Sequence, residues 1–134
     1  MKNSKTPKWK IKKRLEKEVK QYVKERDNYT CQHCWKEWLS WHNCHASHVI
    51  PVSADGRLAF NPRNLKVLCY HCHMNWWHKN PVEAWQRYRD TFQENWEYLH
   101  DKYVKKQMWS ISLTFYDDQL EEIRKLQKSL AIEK

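Results

Sequence analysis

Two Cys-x2-Cys pairs constrain the fold of this chain more than any other sequence feature. Cys31 and Cys34 form the first pair, Cys69 and Cys72 form the second, and 34 residues separate the two pairs. Four thiolates in two such pairs are typical of a tetrahedral structural zinc site. Because the pairs are distant in sequence, one ion bound by all four would close the intervening chain into a loop. We therefore predict a structural Zn²⁺ site that holds two separate segments together.

Charge and cysteine usage indicate the partner and the compartment. The formal net charge is +9, from 25 Lys and Arg against 16 Asp and Glu. This excess favours a polyanionic partner, most commonly nucleic acid, although some basic proteins have none. No stretch has the pattern of a secretory signal or is apolar enough to span a membrane. We therefore expect a cytoplasmic protein with no membrane partner. The fifth cysteine, Cys44, is then expected to be a buried or unreactive free thiol.

The hydrophobic pattern around the cysteines predicts a strand, a turn, a second strand and a short helix. Residues 44–52 and 65–68 are rich in β-branched and aliphatic side chains that favour strands. The Asp55-Gly56 pair between them is typical of a turn. Residues 70–78 should form the short helix. The chain before this unit, residues 5–27, shows the apolar spacing of an amphipathic helix and is rich in lysine.

The C-terminal part predicts further helices and one short strand. Asn80, Pro81 and Glu83 are typical of a capped helix start. Aromatic residues then recur at helical spacing, and we interpret this stripe as packing: Trp85, Tyr88, Phe92, Trp96, Leu99 and Tyr103. Residues 109–115 alternate like a half-buried strand, and a closing amphipathic helix follows. The prediction is one α+β domain over residues 1–134, with a basic helix at 5–27, a core at 26–80 and an extension at 81–134.

Two histidines and an asparagine lie where the predicted zinc site would gather them. His48 ends the first strand region, Asn64 precedes the second strand, and His73 follows the second cysteine pair. The zinc site should therefore hold His73 opposite the strand that carries His48. Histidines that face each other across such a unit suit phosphodiester hydrolysis. One can bind a divalent cation, and the other can accept a proton from water.

The segments RDNYTCQHC, SHVIPVSADGR and NPRNLKVLCYHCH together resemble the HNH endonuclease pattern, a ββα-metal nuclease fold with a four-cysteine zinc knuckle. The resemblance covers about residues 26–78 and matches His48, Asn64 and His73 to the three letters of the pattern. It implies that His48 is the general base and that Asn64 holds the loop and the backbone around the base. It also implies that His73 ligates a catalytic divalent ion, usually Mg²⁺ or a similar ion.

One position departs from the family pattern. Many HNH enzymes carry an Asp metal ligand directly before the first His, and this chain has Ser47 there. Serine is a poor ligand for a hard dication, and His45, on the same face of an extended strand, is our candidate replacement. Alternatively, His45 only packs or contacts a phosphate. A site with two imidazole ligands should prefer Mn²⁺, Co²⁺ or Ni²⁺ to Mg²⁺.

Basic residues around the core are candidates for contacts with DNA. Arg57 and Arg63 could clamp the scissile phosphate, although ordinary surface arginines would look the same in sequence. His78 lies five residues after His73, which in an α-helix places it off the same face, so we assign it to DNA as well. The full predicted DNA-binding set is Lys12, Lys13, Arg57, Arg63, Lys66, His78 and Lys79.

These predictions combine into a metal-dependent HNH endonuclease that hydrolyses DNA phosphodiester bonds. The order of HASH, NPRNL, the second Cys-x2-Cys pair, a long helix, and a final strand or loop with an amphipathic helix is similar to that of the NinG/Rap recombination proteins of lambdoid phages. This resemblance implies a phage-derived enzyme in a bacterial or phage-infected cell. That resemblance implies activity on branched DNA or as a nickase, and both a monomer and a homodimer fit. The alternative is a zinc-stabilised DNA-binding module without cleavage, since the expected Asp is missing.

Overall fold

A computed structural model describes residues 6–51, 56–104 and 115–133. One helix comes first, followed by two strands, a π-helix and three further helices. The two strands pair antiparallel in a small sheet, and the π-helix directly follows the second strand. The α+β class and the ββα arrangement predicted from the sequence are confirmed. The bounds are α1 Lys8–Arg26, β1 His45–His48, β2 Leu65–Leu68, the π-helix Cys72–His78, α2 Pro81–Thr91, α3 Gln93–Val104 and α4 Phe115–Glu133.

Helices α1 and α4 pack against each other and form the main hydrophobic core with strand β2. The apolar residues of α1 recur at helical spacing, so one face of the helix is buried and the lysines lie on the others. From α4, Leu120 and Ile123 enter the same core. The closing helix predicted from the sequence is therefore present, and it begins at Phe115. The buried residues of α1 are Ile11, Leu15, Val19, Tyr22 and Val23.

The strands are short, and their register fixes the site. His45 pairs with Leu68, and His48 pairs with Leu65. Strand β2 matches the predicted range 65–68, whereas β1 ends at His48, four residues before the end of the predicted range 44–52. Val49 and Ile50 leave the strand because they pack into a second hydrophobic cluster, and Asn64 binds their backbone. Residue 55 of the predicted turn lies outside the described residues.

The aromatic stripe at residues 85–103 does not lie on one continuous helix. The helix breaks at Phe92, whose φ of −126° and ψ of 56° are not helical. The break lets α2 and α3 pack against each other, and it places Tyr88 and Leu99 in the second cluster. The packing interpretation of the stripe holds for its buried members, whereas Tyr103 is exposed.

Two further local predictions differ from the structure or fall outside it. Pro81 occupies the first position of α2 as expected, but the Asn80 side chain makes no capping hydrogen bond to the helix. It donates instead to the carbonyl of Asn75, 2.8 Å away. Residues 109–114 of the predicted strand lie outside the described residues. No helix within the described ranges is long and apolar enough to cross a membrane.

Candidate metal centre and active site

The four cysteines of the two pairs converge on one point. All four sulfur atoms lie within 4.8 Å of one another, and the Cys34 and Cys69 sulfurs are 3.8 Å apart. In a regular tetrahedron with metal–sulfur bonds of about 2.3 Å, the sulfurs lie about 3.8 Å apart. The cluster therefore fits a zinc ion, as the sequence predicted. Cys31, Cys69 and Cys72 are buried, and Cys34 is exposed.

Backbone donors near the sulfurs also suit metal-bound thiolates. The Cys34 amide donates to the Cys31 sulfur at 3.4 Å, and the Cys72 amide donates to the Cys69 sulfur at 3.5 Å. Such donors favour the negatively charged form of a sulfur. Burial, the largest cause in each case, raises the pKa of the Cys69 and Cys72 thiols. An ion that binds the Cys69 and Cys72 sulfurs must therefore displace protons from them.

The end of α1 holds the first cysteine pair in register with β2. The Asp27 carboxylate accepts a hydrogen bond from the amide of Val67 at 2.9 Å. Arg26 forms an ion pair with Asp27 at 2.8 Å and donates to the carbonyls of Pro62 and Leu65, both at 2.6 Å. Because β2 leads directly into the second cysteine pair, these contacts bring both halves of the cluster to the same place.

Three imidazoles form a hydrogen-bonded chain beside the sheet. The Nδ1 atoms of His45 and His73 are 2.8 Å apart, and the Nε2 atoms of His73 and His78 are 3.0 Å apart. The Nε2 atom of His45 lies 2.6 Å from the carbonyl oxygen of His42. A carbonyl only accepts, so this nitrogen carries a proton, and in the neutral ring Nδ1 of His45 is the acceptor in the contact with Nδ1 of His73.

His73, at the centre of this chain, is held in its neutral form. Burial, followed by the nearby imidazoles of His78, His45 and His48, lowers the pKa of His73 to about 4. A neutral imidazole is the form that ligates a metal. His73 is thus suited to the ligand role that the family resemblance implies.

The π-helix explains why His78 faces His73, contrary to the sequence expectation. In an α-helix residues five apart point in different directions, whereas a π-helix has i→i+5 hydrogen bonds and brings such residues onto one face. Residues 72–78 adopt this rare form. His78 is therefore placed as a possible partner of His73 in metal binding, and helical periodicity alone could not have shown it.

Either His45 or His78 can share an ion with His73. Two nitrogens bound at about 2.0–2.1 Å to adjacent octahedral positions lie about 2.9 Å apart, close to both observed separations. The two nitrogens of one imidazole cannot bind the same ion, so His73 joins one partner or the other. Among the described residues, only the four cysteines form a group of three or more close donors. An ion on His73 would therefore keep positions open for water and phosphate.

His48 has one unprotonated nitrogen and lines a cavity together with His73. Its Nε2 atom lies 2.8 Å from the carbonyl oxygen of Ala59 and must donate to it, which leaves Nδ1 unprotonated. Burial is the main cause that lowers the pKa of His48, so the ring is neutral near pH 7. His48, His73 and His78 line one cavity of about 440 Å³, together with Trp77 and Trp85.

Asn64 is fully buried and binds both sides of the loop that follows His48. Its Oδ1 atom accepts from the amide of Ile50 at 2.7 Å, and its Nδ2 atom donates to the carbonyls of Ile50 and Leu58 at 3.0 Å. Its own carbonyl accepts from the amide of Val49 at 2.8 Å. Asn64 thus ties together the backbone next to His48, which matches the position that the resemblance assigns to it.

Ser47 is buried against its own strand, and no acidic residue takes its place there. It is buried, and its hydroxyl donates to the carbonyl of His45 at 3.3 Å. Helix α1 instead brings Glu16 and Lys20 to the other side of His48, where they line a second cavity of about 210 Å³. These two side chains form an ion pair at 2.8 Å. Sequence reasoning missed them because only the tertiary packing of α1 places them there.

The predicted DNA-binding residues are spread over several surfaces. Arg63 stacks on the Tyr98 ring at 3.8 Å, and Lys66 lies over the Phe92 ring at 4.2 Å. Burial lowers the pKa of Lys66 to about 8. Both line a third cavity, of about 610 Å³, rather than the one that contains His73. Lys12 and Lys13 are exposed on α1, Lys79 is exposed after the π-helix, and Arg57 is half-buried in the turn before β2.

The fold and the site define a ββα unit with a four-cysteine cluster that fits a metal ion and with histidines that line one cavity. A model of the HNH endonuclease family matches residues 31–75. This range includes both cysteine pairs and the three residues His48, Asn64 and His73. No curated protein and no solved structure matches the chain, so the resemblance to NinG/Rap proteins has no support from a relative.

Proposed function

We propose that this protein is a divalent-metal-dependent HNH endonuclease that hydrolyses DNA phosphodiester bonds. The observation that carries the proposal is the cavity that His48 and His73 both line, since His48 has an unprotonated Nδ1 and His73 is neutral. One nitrogen is available to accept a proton and another to bind an ion. The match of residues 31–75 to the HNH endonuclease family supports this reading.

In the proposed mechanism His48 acts as the general base. The Ala59 carbonyl fixes the tautomer of His48, so that Nδ1 takes a proton from the attacking water. Asn64 keeps the backbone beside the base in position. His73, with His45 or His78, would hold a divalent cation. When bound, such an ion would neutralise negative charge at the scissile phosphate and at the leaving 3′ oxygen.

The donor set of this site favours softer ions than Mg²⁺. Both possible pairs offer imidazole nitrogens only, since Ser47 is buried and bonded to its own strand. Nitrogen ligands suit Mn²⁺, Co²⁺ and Ni²⁺ better than Mg²⁺. We therefore propose one of these three as the preferred ion. Zinc at the four cysteines would contribute rigidity and no chemistry.

We propose DNA as the partner because of the charge of the chain. A net charge of +9 and the lysine-rich surface of α1 provide attraction to phosphates. Following the resemblance to NinG/Rap proteins, we propose activity on branched DNA or as a nickase in a bacterial or phage-infected cell, as a monomer or homodimer.

Plasmid nicking by the wild type and the His48→Ala variant tests the proposed function. The assay is run with Mg²⁺, Mn²⁺, Co²⁺ and Ni²⁺ in turn. We expect His48→Ala to lower the cleavage rate by about 10²–10⁴-fold, because it removes the general base, while DNA affinity and zinc content stay unchanged. The matched control is His100→Ala, which removes an exposed imidazole that stacks on Trp96 in α3. Equal loss in both variants would contradict the assignment.

A second candidate function is a zinc-stabilised DNA-binding module without cleavage. It is favoured by one observation, the buried Ser47 where many family members carry a metal-binding Asp. This alternative predicts that the wild type binds DNA but cleaves none of the linear, nicked or branched forms with any of the four ions. In that case His48→Ala would behave like the wild type in every assay.

A further inference from the structure

The loop between the first cysteine pair and β1 holds three tryptophans in an unusual backbone conformation. Trp35, Trp38 and Trp41 have φ values of 66°, 60° and 51°. L-residues other than Gly rarely adopt this left-handed region, and for bulky side chains it is a true outlier. Such conformations persist only where surrounding contacts impose them, and they are concentrated at functional sites. We call residues 35–41 the tryptophan loop.

The side chains of the tryptophan loop point into solvent. Trp35 is 49% exposed, Trp38 is 89% exposed and Trp41 is 88% exposed. Trp35 still contacts the Phe92 ring, at 6.2 Å between centroids. Within the described part of the chain, no ring contact of Trp38 or Trp41 is found. Two large apolar rings with open faces are costly in water and mark an interaction site rather than a core.

The backbone of the tryptophan loop is firmly held. The Trp35 amide donates to the Cys31 carbonyl, and the Cys31 amide donates to the Lys36 carbonyl, both at 2.9 Å. The amide of Leu39, a buried residue, donates to the Tyr29 carbonyl, also at 2.9 Å. The exposure of the indoles is therefore a property of an ordered loop anchored at the metal cluster.

The tryptophan loop leads directly into the candidate active site. Trp41 begins a short 3₁₀ turn, and the carbonyl of its next residue, His42, accepts the hydrogen bond from His45. The side chain of Asn43 accepts from the amide of Tyr70 at 2.8 Å. These contacts fix the turn next to the site, so the tryptophan loop and His45 belong to one anchored segment.

We propose that Trp38 and Trp41 stack on unpaired bases of the DNA substrate, which makes single-stranded segments the preferred ligand of this surface. The proposal rests on the proposed function only in taking DNA as the partner. Unpaired bases offer two open π-faces to an indole, whereas bases inside a duplex offer none. The net charge of +9 favours a polyanion over an apolar protein surface, and within the loop the charges of Lys36 and Glu37 balance each other.

The test compares one ligand that has unpaired bases with two that lack them. The zinc-loaded full chain, without added catalytic ion, is titrated by fluorescence anisotropy against an oligothymidylate, an abasic oligomer of the same length and a duplex. We expect the wild type to bind the oligothymidylate more tightly than the abasic oligomer, by about fivefold or more for each stacked base. Trp38→Gly and Trp41→Gly should each reduce this preference.

The same variants separate binding from folding. Glycine adopts positive φ freely, so Trp38→Gly and Trp41→Gly should keep or raise the melting temperature while base preference falls. Trp38→Asn, which also tolerates this conformation, serves as a second variant should the glycine variant melt earlier. The matched control is Trp9→Ala, which removes a 60% exposed indole from the regular helix α1 and should keep the base preference.

Two results would overturn the proposal. One is equal affinity of the wild type for the oligothymidylate and the abasic oligomer. The other is full base preference in folded Trp38→Gly and Trp41→Gly variants. If the protein cleaves DNA but shows no base preference, the stacking proposal is refuted and the nuclease assignment is not. Base preference without cleavage of any DNA would support it and refute the nuclease assignment.

Discussion

The two donor clusters of this protein lie close together in sequence and differ in how complete they are. The four cysteine sulfurs are mutually within 4.8 Å and leave no position open. The histidines form a chain of pairwise contacts, at 2.8 and 3.0 Å, that leaves most positions around an ion free. A closed set of ligands is typical of structural metal sites, and an open set is typical of catalytic ones. The comparison predicts that mutations in the first cluster affect folding, whereas mutations in the second affect activity.

The largest expected effect is the loss of a buried cysteine ligand. Cys69→Ser should abolish zinc binding and leave the chain unfolded at room temperature, because binding free energies of about 10–16 kcal/mol at such sites contribute directly to folding. Zinc content and circular dichroism measure the outcome. Cys44→Ala is the control, since this cysteine is buried but lies outside the cluster. A folded, zinc-free Cys69→Ser protein would show that the closed cluster is not structural.

The next largest effect should come from Asn64, which belongs to neither cluster but supports the second. Asn64→Asp removes the two N–H donors to Ile50 and Leu58 and buries a carboxylate. We expect a loss of about 3–5 kcal/mol in the free energy of unfolding, measured by urea denaturation. Gln93→Glu makes the same amide-to-acid change at an exposed position and should stay within about 0.5 kcal/mol. Similar losses in both variants would count against a positioning role.

The third prediction identifies the partner of His73 in the open cluster. His45→Ala and His78→Ala each remove one of the two imidazoles that contact His73. Loss of the true ligand should raise the Mn²⁺ concentration for half-maximal cleavage by at least about 10–100-fold, the range typical for residues that only orient the ligands of a bound metal. The variant that keeps the true ligand serves as the control for the variant that loses it. Unchanged metal dependence in both would exclude the pairing of two imidazoles on one ion.

The closed cluster was predictable from the sequence, and the open cluster was predictable only in part. Cys-x2-Cys spacing is a local property that directly reports ligand geometry, so the four-cysteine cluster followed from it, and the ββα unit followed from the hydrophobic pattern around the cysteines. His48, Asn64 and His73 could be named from the family pattern, and the structure places His48 and His73 in one cavity. Their catalytic roles stay predictions until cleavage is measured.

The features that sequence reasoning missed depend on backbone form or tertiary packing. His78 lies on the same face as His73 only because residues 72–78 form a π-helix. The spacing of apolar residues in the sequence does not predict a π-helix. The helix breaks at Phe92 although the apolar residues keep helical spacing across this position. The break lets α2 and α3 pack on each other, and this tertiary contact cannot be read from the spacing. The positive φ of Trp38 and Trp41 contradicts the intrinsic preference of tryptophan, so it is imposed by the contacts of the loop.

The smallest expected effect concerns the pH dependence of cleavage and the two charges that α1 places beside His48. The base is active when neutral, so the rate should rise with pH through the pKa of His48. Burial lowers this pKa most, the hydrogen bond to the Ala59 carbonyl raises it, Lys20 lowers it and Glu16 raises it. The midpoint of the pH–rate profile should therefore lie below the usual value for histidine.

Two variants of α1 should move that midpoint in opposite directions. Glu16→Gln removes a negative charge that favours the protonated ring, so the midpoint should shift to lower pH. Lys20→Met removes a positive charge that opposes protonation, so the midpoint should shift to higher pH. His73 also faces the ring and is unchanged in both variants. Since Glu16 and Lys20 form one ion pair, loss of their mutual contact is common to both variants. If the midpoints of the two variants shift in opposite directions, the charges of Glu16 and Lys20 act on the pKa of His48. If both midpoints shift in the same direction, α1 acts on His48 only through packing.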